Sequence, residues 1–286
     1  MSTRMEIARQ GLRGALETRR HSGKSKSEPI CIFDFAEGLG VEVKFCPGNS
    51  FGGMYAKASQ TILVPSLRPP GRQAFTCAHE LGHWFFGHGT RVDELEDMER
   101  DRDDQPEEWL ANSFASYLLM PPWSVGEAFA KRHWNPGSCT PTQVYVIAGQ
   151  FGVGYETLVQ HLCWSLRLTP AHHAERLLKT TPKQLRRLVL GHDEARHLVI
   201  ADRAWSTVAV DLQVGDVAIF PETVSVEGPS AAITSTHEMG VVVTGKVPGI
   251  LRAESADGSW AVFVRVCRKD FTGRSTYRFL EDPDVG

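Results

Sequence analysis

Residues 79–83 read His79-Glu80-Leu81-Gly82-His83 and lie inside the apolar stretch QAFTCAHELGHWFF. Phe75, Ala78, Leu81, Trp84 and Phe85 recur there at helical spacing, so the segment buries one face of a helix. The two histidines stand one turn apart, and both imidazoles leave the same side. Two nitrogens so placed can reach one cation, and zinc accepts imidazole nitrogen at about 2.0–2.1 Å. Glu80 follows the first histidine, where its carboxylate can take a proton from water without binding the metal. Segment 76–86 has no proline, and Gly82 lacks a Cβ, which admits a close neighbour. The plainer reading is a core helix whose histidines are satisfied by hydrogen bonds, so the surroundings must decide.

A catalytic zinc takes three protein ligands and keeps a position for water. Downstream, PEEWLANSFASYLLMPP (106–122) carries Pro106, Glu107 and Glu108 in a first helical turn and ends at Pro121-Pro122. Glu108, Asn112 and Ala115 share one stripe of that helix. Glu108 is therefore the expected third ligand, and Asn112, one turn on, the group that steadies a ligating imidazole. Glu107 points about 100° away round the helix.

FTCAHELGHWFFGH followed by EEWLANSFASYLLMP resembles the ImmA/IrrE family of bacterial HExxH metallopeptidases. GGMYAKASQTILVPSLRPPGRQAF is similar to the strand pair that leads into that family's active-site helix. The similarity spans about residues 28–168 and rests on two linked motifs. It implies His79, His83 and Glu108 as zinc ligands and Glu80 as catalytic base. It also implies a protein substrate, a helix-turn-helix repressor encoded nearby, whose cleavage switches on stress-response or phage-defence genes. Zinc is the implied cofactor, with manganese as a substitute in vitro.

A donor to the developing oxyanion is also needed. Tyr55, His88 and His133 are the candidates, each of which also reads as structural or solvent-facing. His88 lies five residues after His83, which turns it off the ligand face. DELEDMERDRDD (93–104) carries eight acids against Arg100 and Arg102, and reads as a solvated loop, an acidic lip for a basic substrate, or a lid. Cys46 and Cys139 are candidates to block the open zinc position, whereas Cys77 faces about 200° from His79.

The expected fold class is α+β. A zincin-like metallopeptidase domain covers 1–135 and a helix-turn-helix-like subdomain 136–168. A helical connector covers 169–196, and a β-rich α+β domain 197–286, which the resemblance marks as a GAF-like sensor. Within the first, 3–20 is an amphipathic helix with an arginine-rich solvated face, and VEVKF and TILVP are strands, one of which offers an edge beside the active-site helix for strand addition. Between Cys139 and Leu166 there is no Lys or Arg, so the two helices meeting near Tyr155 read as packing rather than DNA-reading elements. HLVIAD, STVAVDL, DVAIF, GVVVTGKV, WAVFVRVCR and STYRFL read as strands, and Arg265, Arg268, Lys269, Arg274 and Arg278 make the end of the chain basic, which reads as a solvated strand face ahead of an anion or nucleic-acid surface.

A net charge of −3 argues against a general polyanion binder. Six cysteines without CxxC spacing, the absence of an apolar leader and the absence of a span of roughly 18 apolar residues point to the cytoplasm and away from the membrane. Two functions follow. The first is a cytoplasmic zinc endopeptidase acting on the repressor. The rival is a non-catalytic, metal-containing regulator that senses a ligand and sequesters the repressor. A nucleic-acid or small-ligand activator is a candidate partner for either. Glu80 favours the enzyme, because a structural site needs no general base.

Overall fold

The computed structural model describes residues 2–23, 28–48, 51–89, 91–94, 105–191, 197–205 and 207–280. The chain divides into two compact units, Met1–Val125 with Thr272–Thr276, and Gly126–Phe271 with Tyr277–Gly286.

The first unit is α+β. Helix α1 (Ser2–His21) is followed by α2 (Ile32–Gly38) and three strands, β1 (Glu42–Cys46), β2 (Phe51–Ala56) and β3 (Thr61–Pro65). Helix α3 (Pro70–Phe86), strand β4 (Arg91–Glu94) and helix α4 (Pro106–Leu119) complete it. The motif helix thus begins three residues before the expected QAFTCAHELGHWFF segment, with Pro70 at its first position, where a missing N–H costs nothing. β1 and β3 run parallel, and β2 pairs antiparallel with β3 through Tyr55 and Ile62. β3 is central and buried on both faces, as its unbroken TILVP run requires.

The expected free strand edge is a correction. β2, the strand against α3, is paired on both sides, and β4 and a late strand, β13 (Gly273–Arg274), take the sheet edges. β13 joins β1 antiparallel. Arg274 clamps Glu42 with both Nε and Nη2 (2.9 and 2.6 Å), and the Ser275 hydroxyl donates to Glu37 Oε1 at 2.7 Å.

Arg19 corrects the reading of α1. Arg4, Arg9, Arg13 and Arg20 are exposed, but Arg19 is fully buried. Its Nε and Nη2 donate to the Leu118 carbonyl (2.9 and 2.7 Å) and its Nη1 to the Glu28 carbonyl (2.8 Å). Those bonds satisfy a carbonyl that the end of α4 leaves without a helical partner. Burial pushes the guanidinium down to about 10, with Glu28 opposing, so the group stays charged at neutral pH.

Helix α5 (Pro122–Ala130) carries the chain into the second unit, which continues with α6 (Pro141–Gln150) and α7 (Tyr155–Gln160). The two short helices meet where the sequence places them, and a π-helical turn, His161–Ser165, extends the second. The connector forms α8 (Ala171–Leu178) and α9 (Pro182–Leu190), the latter opened by a reciprocal Thr181–Gln184 cap.

Beyond it come β5 (Leu198–Ile200), β6 (Val210–Gln213), β7 (Val217–Phe220), β8 (Val224–Glu227), β9 (Ala231–His237), β10 (Gly240–Gly245), β11 (Gly249–Ser255) and β12 (Ala261–Cys267). They form two four-stranded sheets, β5-β7-β10-β9 and β6-β12-β11-β8. One hydrophobic cluster draws on both, with Phe220 and Val243 from the first and Leu251 and Val264 from the second. Among the described residues of 197–271 there is no α-helix.

STYRFL is not a strand: Ser275–Tyr277 is a 3₁₀ turn. The basic end is also largely occupied. Arg265 forks onto Asp211 (2.5 and 2.6 Å), Arg274 onto Glu42, and the buried Arg278 stacks on Phe279. Among the described residues no helix is long and apolar enough to cross a membrane.

Candidate metal centre

Helices α3 and α4 cross closely at Gly82. A Cβ there would lie 3.2 Å from the Ala111 Cα and 3.1 Å from the Phe114 ring, so a side chain at this position would have to push the neighbouring helix back by a few tenths of an ångström. The crossing brings one face of α3, with His79 and His83, against the stripe of α4 that carries Glu108 and Asn112.

All three candidate ligands are more than nine-tenths buried. The Nε2 atoms of His79 and His83 face each other at 3.0 Å. Glu108 Oε2 lies 3.2 Å from His79 Nε2, and its Oε1 lies 3.5 Å from His83 Nε2. Among the described residues this is the one group of histidine, cysteine and acidic side chains whose donor atoms converge as a metal site requires, all within 4.8 Å of one another. It contains no cysteine. Two imidazole nitrogens and a carboxylate oxygen turned toward one point suit a divalent cation such as zinc. Burial alone would raise the Glu108 carboxyl. Hydrogen bonds from His79 and His83, reinforced by their charge, outweigh it and hold the group well below the usual carboxylate range.

The outward nitrogens are held as well. His79 Nδ1 lies 2.9 Å from Asn112 Oδ1, the contact expected from the shared stripe. His83 Nδ1 lies 2.8 Å from His88 Nδ1. Placing His88 off the ligand face is therefore a correction. α3 ends at Phe86, and Gly87 turns the chain back in the left-handed region (φ 73°), which returns His88 to the face that an extended helix would have carried it away from.

Glu80 is buried beside the cluster, and its carboxylate reaches β2. A Cβ on Gly53 would come within 2.9 Å of Glu80 Oε1 and would overlap the Thr76 methyl. Gly53 is a site residue that sequence reasoning passed over. Its only signal is the Gly52-Gly53 pair in an otherwise strand-forming segment. Tyr55, two residues on, is buried, which raises its phenol above the ordinary range. His133 is exposed in the second unit, after α5. Of the acidic run, Asp93 and Glu94 belong to β4, and residues 95–104 lie outside the described residues.

Residues 36–162 match the model of the IrrE N-terminal-like domain, a stretch that holds every candidate ligand. Two relatives, each a radiation response metalloprotease IrrE, are similar over shorter stretches. The one from Deinococcus radiodurans is 36% identical over 90 residues, covering 31% of this chain and 27% of that protein. The one from Deinococcus deserti is 38% identical over 84 residues, covering 29% of this chain and 30% of that protein. The matched segments thus span less than a third of either relative. A solved structure described as a Mycobacterium tuberculosis transcriptional regulator is similar at a TM-score of 0.37 and 17% identity, over 57% of this chain and 51% of that one.

Proposed function

We propose that this chain, whose residues 36–162 match the IrrE N-terminal-like domain, is a cytoplasmic zinc-dependent endopeptidase of the ImmA/IrrE family. Its proposed substrate is a helix-turn-helix repressor encoded nearby, whose loss switches on a stress or phage-defence gene set. The observation that carries the reading is the buried convergence of His79 Nε2, His83 Nε2 and the Glu108 carboxylate, with Glu80 beside it. A zinc ion held by these three residues supplies Lewis acidity toward water and the scissile carbonyl.

The protein's own groups do the rest. His79 and His83 would hold the cation through Nε2, and Asn112 orients the ring of His79 through Nδ1. Glu80 accepts the proton of the attacking water and returns it to the leaving amine. Burial keeps its carboxylate away from bulk water, so the proton is handed over locally. Tyr55, buried on the strand that carries Gly53, is the preferred candidate to donate to the oxyanion, ahead of His88 and His133. Residues 136–168 are assigned to packing. Residues 197–286 are assigned to sensing, which rests on the family resemblance alone.

The test is to mix the zinc-reconstituted protein with the purified repressor. The wild type should give one discrete cut, and Glu80→Gln should slow it by about 10²–10⁴-fold at equal zinc content. A stable complex with no fragment, unchanged by Glu80→Gln, would establish the non-catalytic regulator instead.

A further inference from the structure

We infer that His88 is a positioning residue of the metal centre, fixing the tautomer and ring orientation of His83 by accepting its Nδ1–H. This rests on the reading of His79, His83 and Glu108 as metal ligands. The starting point is how α3 ends. Gly87 N–H donates to the Trp84 carbonyl at 3.2 Å and His88 N–H to the His83 carbonyl at 3.0 Å, with Gly87 left-handed at φ 73° and ψ 20°. This is the paired-bond helix stop in which the residue after the glycine lands on the side chain five positions back. That contact is usually apolar. Here the five-back residue is His83, and the contact is a ring-to-ring hydrogen bond of 2.8 Å between the two Nδ1 atoms.

The direction of that bond follows from the site. His83 Nε2 faces His79 Nε2 at 3.0 Å and Glu108 Oε1 at 3.5 Å, so it is the nitrogen turned toward the ligand cluster. A proton on it would forbid a cation. With a cation held at Nε2, the His83 proton sits on Nδ1, and His88 Nδ1 accepts it. The opposite direction would put the proton on His83 Nε2 and close the site. His79 is held in the same sense by the Asn112 carbonyl oxygen, so each ligating ring has its own acceptor. Phe86 stacks on the His88 ring (centroids 5.9 Å, interplanar 25°), and the backbone bond to His83 fixes its root, so the acceptor is itself constrained. The spacing that does this is H-W-F-F-G-H. The glycine makes the turn, and the final histidine supplies the acceptor.

The experiment measures zinc affinity by competition with a chromophoric chelator for wild type, His88→Leu and His88→Asn. Leucine keeps bulk but removes the acceptor, whereas the asparagine oxygen can stand where Nδ1 stood. His88→Leu should bind zinc about 10–100-fold more weakly, and His88→Asn should recover most of that loss. In the zinc-loaded wild type, nitrogen-15 spectra should show the His83 proton on Nδ1. Equal zinc affinity in wild type and folded His88→Leu would overturn the inference. So would a folded His88→Asn as weak as the leucine variant, since the lost feature would then be ring packing against Phe86. If His88→Leu does not fold, the asparagine variant alone decides. Failure of the wild type to bind zinc would instead strike the metal-centre reading itself.

Discussion

Replacing Gly53 with alanine tests whether β2 sets the position of Glu80. The new Cβ would overlap the Thr76 methyl and lie 2.9 Å from Glu80 Oε1 and 3.3 Å from Glu80 Cγ. Carbon contacts settle at about 3.5–4.0 Å, so β2 must lift or both side chains of α3 must move. Thr76 is β-branched and has few χ1 choices within a helix, and turning its methyl away moves the hydroxyl off the Gly52 carbonyl, so a rotamer change relieves the strain only at that cost. Overpacking of this kind costs about 1–3 kcal/mol, and removing a strand glycine returns about 0.5–1, leaving a net loss of about 1–2 kcal/mol. Urea denaturation reads that loss. Thr76→Ser removes the clashing methyl while keeping the hydroxyl that donates to the Gly52 carbonyl at 3.4 Å. The double variant should therefore recover stability, with a coupling of about 1 kcal/mol. Zinc affinity should hold, because the new atom meets Glu80 and Thr76 rather than the ligands, while cleavage falls toward the level of Glu80→Gln. A Gly53→Ala protein as stable and as active as wild type would refute the reasoning.

Arg19→Leu should cost about 2–4 kcal/mol in urea unfolding, because it leaves the Leu118 and Glu28 carbonyls without their charged donor. Arg19→Lys should restore little, since one ammonium cannot reproduce the fork, and a loss below about 0.5 kcal/mol in either variant would contradict this role. His197 should give stability a pH dependence. Burial, with Arg186 adding, pushes its pKa down to about 4. The unfolded chain, near 6.5, therefore takes up a proton first as pH falls. Stability is intact above about pH 6.5 and is lost progressively toward pH 4, up to about 2 kcal/mol by pH 5. His197→Gln should flatten that slope in denaturation midpoints compared at pH 7.5 and 5.

The site was more legible in the sequence than the fold around it. Helical spacing alone put His79 and His83 on one face and Glu108 and Asn112 on another stripe, and the structure brings these four together. The misreading of His88 came from extending the helical wheel past Gly87, where the left-handed turn makes residue 88 a neighbour of 83. Arg19 was taken as one more solvated arginine because periodicity locates a face and says nothing of the carbonyls at the end of a distant helix. The strands β5, β6, β7, β10 and β12 announced themselves as apolar runs. β9 did not, because its Ile233–Thr236 stretch is exposed, and β8 and β11 are interleaved with charge. β13 has two residues and a partner more than 200 positions earlier, so no local pattern could reveal it. At the basic C-terminal end the sequence counts arginines and cannot show that Asp211 and Glu42 already hold two of them.

X-ray absorption at the zinc edge of the reconstituted protein addresses the metal centre most directly. Two imidazole nitrogens and carboxylate or water oxygens at about 2.0–2.2 Å, with one nitrogen lost in His83→Ala, is the spectrum these residues predict. A shell containing a cysteine sulfur at about 2.3 Å, or one unchanged by His83→Ala, would contradict the assignment of His79, His83 and Glu108 as the ligands.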